Sequence, residues 1–154
     1  MTSTQYISAE KLEELQKELV FLKTNKIPKT AERIDEARQM GDLSENAEYH
    51  AAREELAWAQ SRVKELDRII DNASVVSGGG NKSGNVQMGS VVTVVVNGKE
   101  RQYTIVGAQE SNPVAGKISN DSPLAQAFWG KTNGDLIELE APVGKILYQI
   151  LAVN

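Results

Sequence analysis

The chain has 154 residues, 40% of them hydrophobic, and no cysteine. That length suits one domain or two small ones, the missing thiols exclude disulfides and thiolate metal sites, and no apolar run approaches the length that crosses a bilayer. Net charge is −4, with eleven Lys/Arg against fifteen Asp/Glu in residues 1–75 and six against six in the rest. This is not the basic surplus of a protein that binds free duplex DNA, so any contact with nucleic acid is expected to be local or borrowed from a partner. The first residues, MTSTQYISAEKLEEL, lack a basic segment followed by an apolar stretch. No secretory leader is expected, and a cytoplasmic protein is the natural reading.

Up to about residue 75 the chain holds one glycine, Gly41, and one proline, Pro28, among Ala, Leu, Glu, Lys and Arg. That is helix composition. Ser8 is placed to cap a helix, with Ile7 and Leu12 spaced as a hydrophobic staple. Leu12, Leu15, Leu19 and Leu22 repeat at heptad spacing, the seam loosens near Ile27–Pro28, and Ile34, Ala37 and Met40 resume it. A second seam runs through Tyr49, Ala52, Leu56, Ala59, Val63, Leu66, Ile70 and Ala73. Two helices of about 30 residues joined by a short turn should pack antiparallel as a hairpin roughly 45 Å long. The hairpin is assigned residues 1–76, a Gly-rich linker 77–85, and a second domain 86–154.

The second domain reads as α+β. Ser90–Val96 is a β-branched strand, Asn97-Gly98 a hairpin signal, and Arg101–Val106 its alternating partner. Ser122-Pro123 opens a short helix closed by Gly130, with Phe128 and Trp129 expected in the core. Asn133-Gly134 turns the chain into Leu136–Glu140, and Lys145–Val153 is the last strand. The expected product is a small antiparallel sheet with one helix packed on a face.

Asp42 and Glu45 fall at the hairpin turn, three residues apart. With Asp42 at the turn and Glu45 in the first helical turn, both carboxylates point outward together, and such a pair suits a hard cation such as Mg²⁺. Two ligands alone bind it weakly. The same spacing is also a capping box, and on spacing alone the cap is the better reading. Asn46 and Ser44 are expected to cap. His50 is the only histidine, with no partners for a metal site, and Tyr49 lies in the seam as packing.

The run Gly41-Asp42-Leu43-Ser44-Glu45-Asn46-Ala47-Glu48-Tyr49-His50-Ala51-Ala52-Arg53-Glu54 resembles the signature of the GreA/GreB transcript-cleavage factors. The run Asn120-Asp121-Ser122-Pro123-Leu124-Ala125-Gln126-Ala127-Phe128-Trp129-Gly130-Lys131 resembles the same family's C-terminal signature. Two long motifs in the right order make the resemblance specific, and it extends over essentially the whole chain. It implies a coiled-coil hairpin that enters the secondary channel of bacterial RNA polymerase, and an FKBP-like domain that grips the channel rim. It matches Asp42 and Glu45 to an acidic tip pair sharing one Mg²⁺ with the polymerase active site, which then cleaves the 3′ end of backtracked nascent RNA. On that reading the chain is no free-standing enzyme, binds no Mg²⁺ stably by itself, and acts as a monomer.

The resemblance places Arg53 in a basic patch facing the RNA 3′ end. Arg38 and Arg33 are further candidates for that patch; the bland alternative for Arg53 is an exposed ion pair with Glu48 or Glu54. Asp121, Ser122 and Pro123 admit a helix-cap reading, and the resemblance adds a contact with the channel rim. A regulator that occupies the channel without promoting cleavage is the alternative function.

Overall fold

The structure, a computed structural model, describes residues 4–42, 44–76 and 83–154. Of the expected linker, residues 77–82 lie outside the described residues. The chain divides into a helical unit, Leu12–Ala73, and a sheet unit formed by Ser74–Asn154 with residues 4–11.

Helix α1 (Ala9–Phe21) begins at Ser8, whose Oγ accepts from the Lys11 N–H at 3.1 Å, as its sequence position predicts. Residues Leu22–Lys26 form a π-turn, closed by the Ile27 N–H donating to the Leu22 carbonyl, and α2 (Ile27–Gln39) follows with Pro28 in its first turn. The irregularity expected near Pro28 therefore takes this form. The seam explains it. Leu15 and Leu22 are buried one heptad apart, but the next buried residue is Thr30, one position late, followed by Ile34 and Ala37. A π-turn holds one more residue than an α-turn, so it absorbs the slip and returns the apolar face to the seam. The Thr30 hydroxyl, buried there, donates to the Lys26 carbonyl at 2.7 Å. Met40 was expected to continue the seam but is 80% exposed, because α2 stops at Gln39.

Helix α3 (Ala47–Asp71) presents Tyr49, Ala52, Ala59, Leu66 and Ile69 as its buried stripe. At its end Ile69 is buried more deeply than the expected Ile70. Ion pairs cross from α3 to the first limb: Arg62 with Glu18 at 2.7 Å, Glu55 with Lys26, and Glu48 with Arg33 at 2.8 Å. Residue numbers fall on one side as they rise on the other, so the limbs run antiparallel.

In the sheet unit, β1 (Gln5–Ser8) and β2 (Ala73–Val76) form a two-stranded sheet. Neither strand was expected from the sequence. Gly107 faces β1 so closely that a Cβ there would sit 1.6 Å from the Tyr6 carbonyl oxygen. The main sheet is ordered β5-β4-β3-β7-β6, from β3 (Val91–Val96), β4 (Lys99–Val106), β5 (Lys117–Ser119), β6 (Leu136–Ala141) and β7 (Gly144–Val153). Asn97 and Gly98, both at positive φ, make the tight turn from β3 to β4. The expected antiparallel sheet is corrected to a mixed one, since β5 pairs parallel with β4. The crossover between them, a loop carrying two short 3₁₀ turns, brings the chain back along the same direction. Helix α4 (Pro123–Phe128) puts Phe128, fully buried, against Tyr103 and Tyr148 with ring centroids 5.9 and 5.6 Å away. Around it lie Val92, Val94, Ile105 and Ile150, none of them solvent-accessible. Trp129, expected in the core, is 47% exposed because α4 ends at Phe128 and the chain turns away.

Candidate functional site at the hairpin tip

The turn from α2 to α3 is built from polar backbone. Met40 donates its N–H to the Ala37 carbonyl at 3.1 Å, and Gly41 takes φ +148°, a region open to glycine and strained for other residues. Asp42 Oδ1 accepts from the Ser44 N–H at 3.1 Å and the Asp42 carbonyl accepts from the Glu45 N–H at 3.4 Å, an Asx-type turn. The helix cap is Asn46, whose Oδ1 accepts from the Tyr49 N–H at 3.0 Å.

This geometry corrects two expectations. Asp42 and Glu45 are not a capping box, because Asn46 occupies the cap. Glu45 also precedes the helix rather than lying in its first turn. Both carboxylates are exposed and line one shallow cleft with Met40, Gly41, Asn46 and Ala47. Among the described residues no cation pairs with either. Exposed carboxylate oxygens suit Mg²⁺, which accepts one or two carboxylates and keeps water elsewhere, and Asp42 keeps its Oδ2 for such a role while Oδ1 accepts from the Ser44 N–H. No group of three acidic or histidine side chains that could hold a metal occurs among the described residues.

Behind the tip, Arg38 of α2 and Arg53 of α3 flank Tyr49, their guanidinium carbons 5.9 and 5.7 Å from its ring centroid. Tyr49 is buried, as its seam position predicts, and its ring orients both cations. The three residues line a cleft with Asp35, Leu56 and Gln60. Arg53 forms none of the ion pairs with Glu48 or Glu54 that were its bland alternative: Glu48 is taken by Arg33, which also binds Glu55. Arg33 is thereby committed within the hairpin. Arg38 approaches Asp35 at 4.0 Å with both side chains well exposed, a weak pairing. His50 lies exposed beside Tyr49.

In the sheet unit, Ser122 caps α4, its Oγ accepting from the Ala125 N–H at 3.2 Å and donating to the Ser119 carbonyl at 2.7 Å. Asp121 accepts from the Ser119 hydroxyl at 3.0 Å, and Pro123 stands at the first helical position. Asp121 and Pro123 are exposed. The cap reading of this segment holds.

Residues 5–75 match the family model described as "Transcription elongation factor, N-terminal", and residues 81–154 match "Transcription elongation factor, GreA/GreB, C-term". The transcription elongation factor GreA of Bacillus licheniformis is 44% identical over 142 residues, covering 91% of this chain and 90% of the relative. That of Halalkalibacterium halodurans is 40% identical over 151 residues, covering 97% and 96%. A solved structure of the transcription factor Gfh1 aligns over 100% of this chain and 99% of its own, at 23% identity and a TM-score of 0.49. Matched in its helical and its sheet parts and along nine-tenths or more of its length, the chain belongs to the GreA/GreB family of transcription elongation factors.

Proposed function

We propose that this chain stimulates the cleavage of backtracked nascent RNA by bacterial RNA polymerase, carrying Asp42 and Glu45 through the secondary channel to the polymerase active site. The observation that carries this reading is a pair of exposed carboxylates on one cleft, with no cation partner among the described residues, at the end of α3. At 1.5 Å per residue, the 25 residues of α3 reach roughly 37 Å from that turn. A helix pair can carry a site into a narrow channel where a globular surface cannot follow.

Asp42 and Glu45 act there as two of the ligands of a Mg²⁺ shared with the polymerase. The ion that Asp42 and Glu45 would help hold would supply activation of the attacking water and stabilisation of the leaving oxygen. The hydrolytic site belongs to the polymerase, and this chain completes its ligand set. Arg53, with Arg38, faces phosphate of the RNA 3′ end, for which a guanidinium is well shaped. Asp121, Ser122 and Pro123 contact the channel rim. The protein works as a monomer in the cytoplasm.

The test is the double variant Asp42→Ala with Glu45→Ala, assayed on stalled elongation complexes with Mg²⁺. Polymerase binding is expected to stay near that of the unaltered chain, with stimulated cleavage lost. Undiminished cleavage refutes the tip mechanism and leaves the non-cleaving channel regulator as the better reading.

A further inference from the structure

We infer that Asn46 is the positioning residue of the tip: its side-chain amide clamps the two ends of the turn together and so holds Asp42 and Glu45 on one cleft. The inference rests on the function proposed for that pair. Asn46 Nδ2 donates to the Ala37 carbonyl of α2 at 2.6 Å, while Oδ1 accepts from the Tyr49 N–H of α3 at 3.0 Å. One planar group thus gives a second donor to the Ala37 carbonyl at the end of one helix, which also accepts from the Met40 N–H, and satisfies an amide left over at the start of the next. Ala37 and Tyr49 are both buried in the seam, 1% and 7% exposed, so the clamp is anchored on the packed part of the hairpin.

Among the described residues the turn's other hydrogen bonds are local: Met40 N–H to Ala37 carbonyl, Ser44 N–H to Asp42 Oδ1, and Glu45 N–H to Asp42 carbonyl at a long 3.4 Å. They shape the turn without fixing it to both helices. Asn46 also lines the cleft that Asp42 and Glu45 share. A pair of carboxylates that captures a cation only with help from a partner gains most from being held in place beforehand.

The chemistry admits few substitutes. The position needs a donor and an acceptor on one short, rigid group. Ionised aspartate offers acceptors alone, serine and threonine offer a single oxygen with less reach, and glutamine is a methylene longer. Capping by itself is served about equally well by Asp, Ser or Asn. Asn46→Asp therefore separates the two roles, keeping the bond from Tyr49 N–H and replacing the bond to Ala37 with oxygen facing oxygen.

The experiment compares the unaltered chain, Asn46→Asp and Asn46→Ala in two ways. In the free protein, backbone NMR order parameters are measured for Ser44, Glu45 and Tyr49. Asn46→Asp is expected to leave Tyr49 rigid, near ~0.85, while Ser44 and Glu45 fall toward ~0.6. Asn46→Ala lowers all three. With stalled elongation complexes, the Mg²⁺ concentration for half-maximal cleavage is expected to rise about tenfold or more in Asn46→Asp, as when a group orienting a metal ligand is removed. Excess Mg²⁺ then restores the rate, and competition for polymerase is unchanged. A tip as ordered in Asn46→Asp as in the unaltered chain overturns the inference. So does an unchanged Mg²⁺ requirement, or a loss that excess Mg²⁺ does not relieve. The Asp42→Ala, Glu45→Ala double variant run alongside separates the readings: if it cleaves normally the proposed function falls, whereas if it is dead and Asn46→Asp behaves as the unaltered chain, only the clamp falls.

Discussion

Removing the carboxylate of Glu110 should loosen Ser8 and the first residues of α1 within the sheet unit. Glu110 Oε2 accepts from the Ser8 N–H at 2.9 Å and Oε1 from the Ser8 hydroxyl at 2.5 Å, across 102 residues of sequence. The Ser8 oxygen meanwhile accepts from the Lys11 N–H, so one serine is both helix cap and anchor. Hydrogen bonds to a charged acceptor contribute about 1.5–3 kcal/mol each when buried. Ser8 and Glu110 are half-buried, so Glu110→Ala is expected to cost about 2 kcal/mol for the two bonds together. Ser8→Ala removes the cap and one of those bonds but keeps the Ser8 N–H bond, for a cost of about 1–2 kcal/mol. The double-mutant cycle then isolates the hydroxyl–carboxylate bond, with a coupling of about 1 kcal/mol. Urea unfolding followed by circular dichroism reads these values. With a slope of about 2 kcal/mol/M, Glu110→Ala lowers the midpoint by about 1 M. A coupling below about 0.3 kcal/mol, the ordinary scatter of independent sites, refutes the anchor.

Three further outcomes are expected. Arg53→Glu should cut cleavage of backtracked complexes about tenfold or more, the scale of one lost charge-assisted contact, with little change in competition for polymerase; an equal loss of both counts against an RNA contact. Phe128→Ala should cost about 3–5 kcal/mol in equilibrium unfolding and Trp129→Ala under about 1 kcal/mol; similar costs would contradict their opposite burial. Lys26 first and Arg33 second hold the Glu55 carboxyl below the ordinary glutamate value of 4.5. That stabilisation is present above the unfolded-state value and is lost as pH falls through the lower folded one. Acid titration of hairpin helicity should therefore be steeper below about pH 4.5 in the unaltered chain than in Glu55→Gln, and equal profiles refute the role of these cations.

Much of the architecture could be read without coordinates, because its causes are local. Heptad apolar residues give two helices each a seam and the short turn between them makes the pair antiparallel, Asn97-Gly98 turns a strand back on itself through its own φ preferences, and Ser122-Pro123 opens a helix with its own hydroxyl and ring. The tip motif marked where to look for the same reason, as it is one unbroken run. The features that escaped depend on distant residues. β1 and β2 join segments from opposite sides of the hairpin, β5 pairs with β4 in a direction set by the crossover, and Glu110 serves a serine near the start of the chain. The slip from Leu22 to Thr30 was present in the letters, but only the buried face identified Thr30 as a seam residue and so made a π-turn necessary.

At the tip, sequence alone determined which side chains are present and that they lie between two helices: Asp42, Glu45, Arg38 and Arg53. It left Asp42 and Glu45 open between cap and ligand pair, because spacing cannot say which residue donates to which backbone group. Tertiary structure decided that the cap falls to Asn46, as its position predicts, and not to Asp42, whose Oδ1 accepts from the Ser44 N–H in the turn instead, and that Arg33 is engaged by Glu48 and Glu55 while Arg53 pairs with neither Glu48 nor Glu54. A carboxylate or guanidinium has few hydrogen-bonding sites, and which neighbours fill them depends on the distances that folding sets.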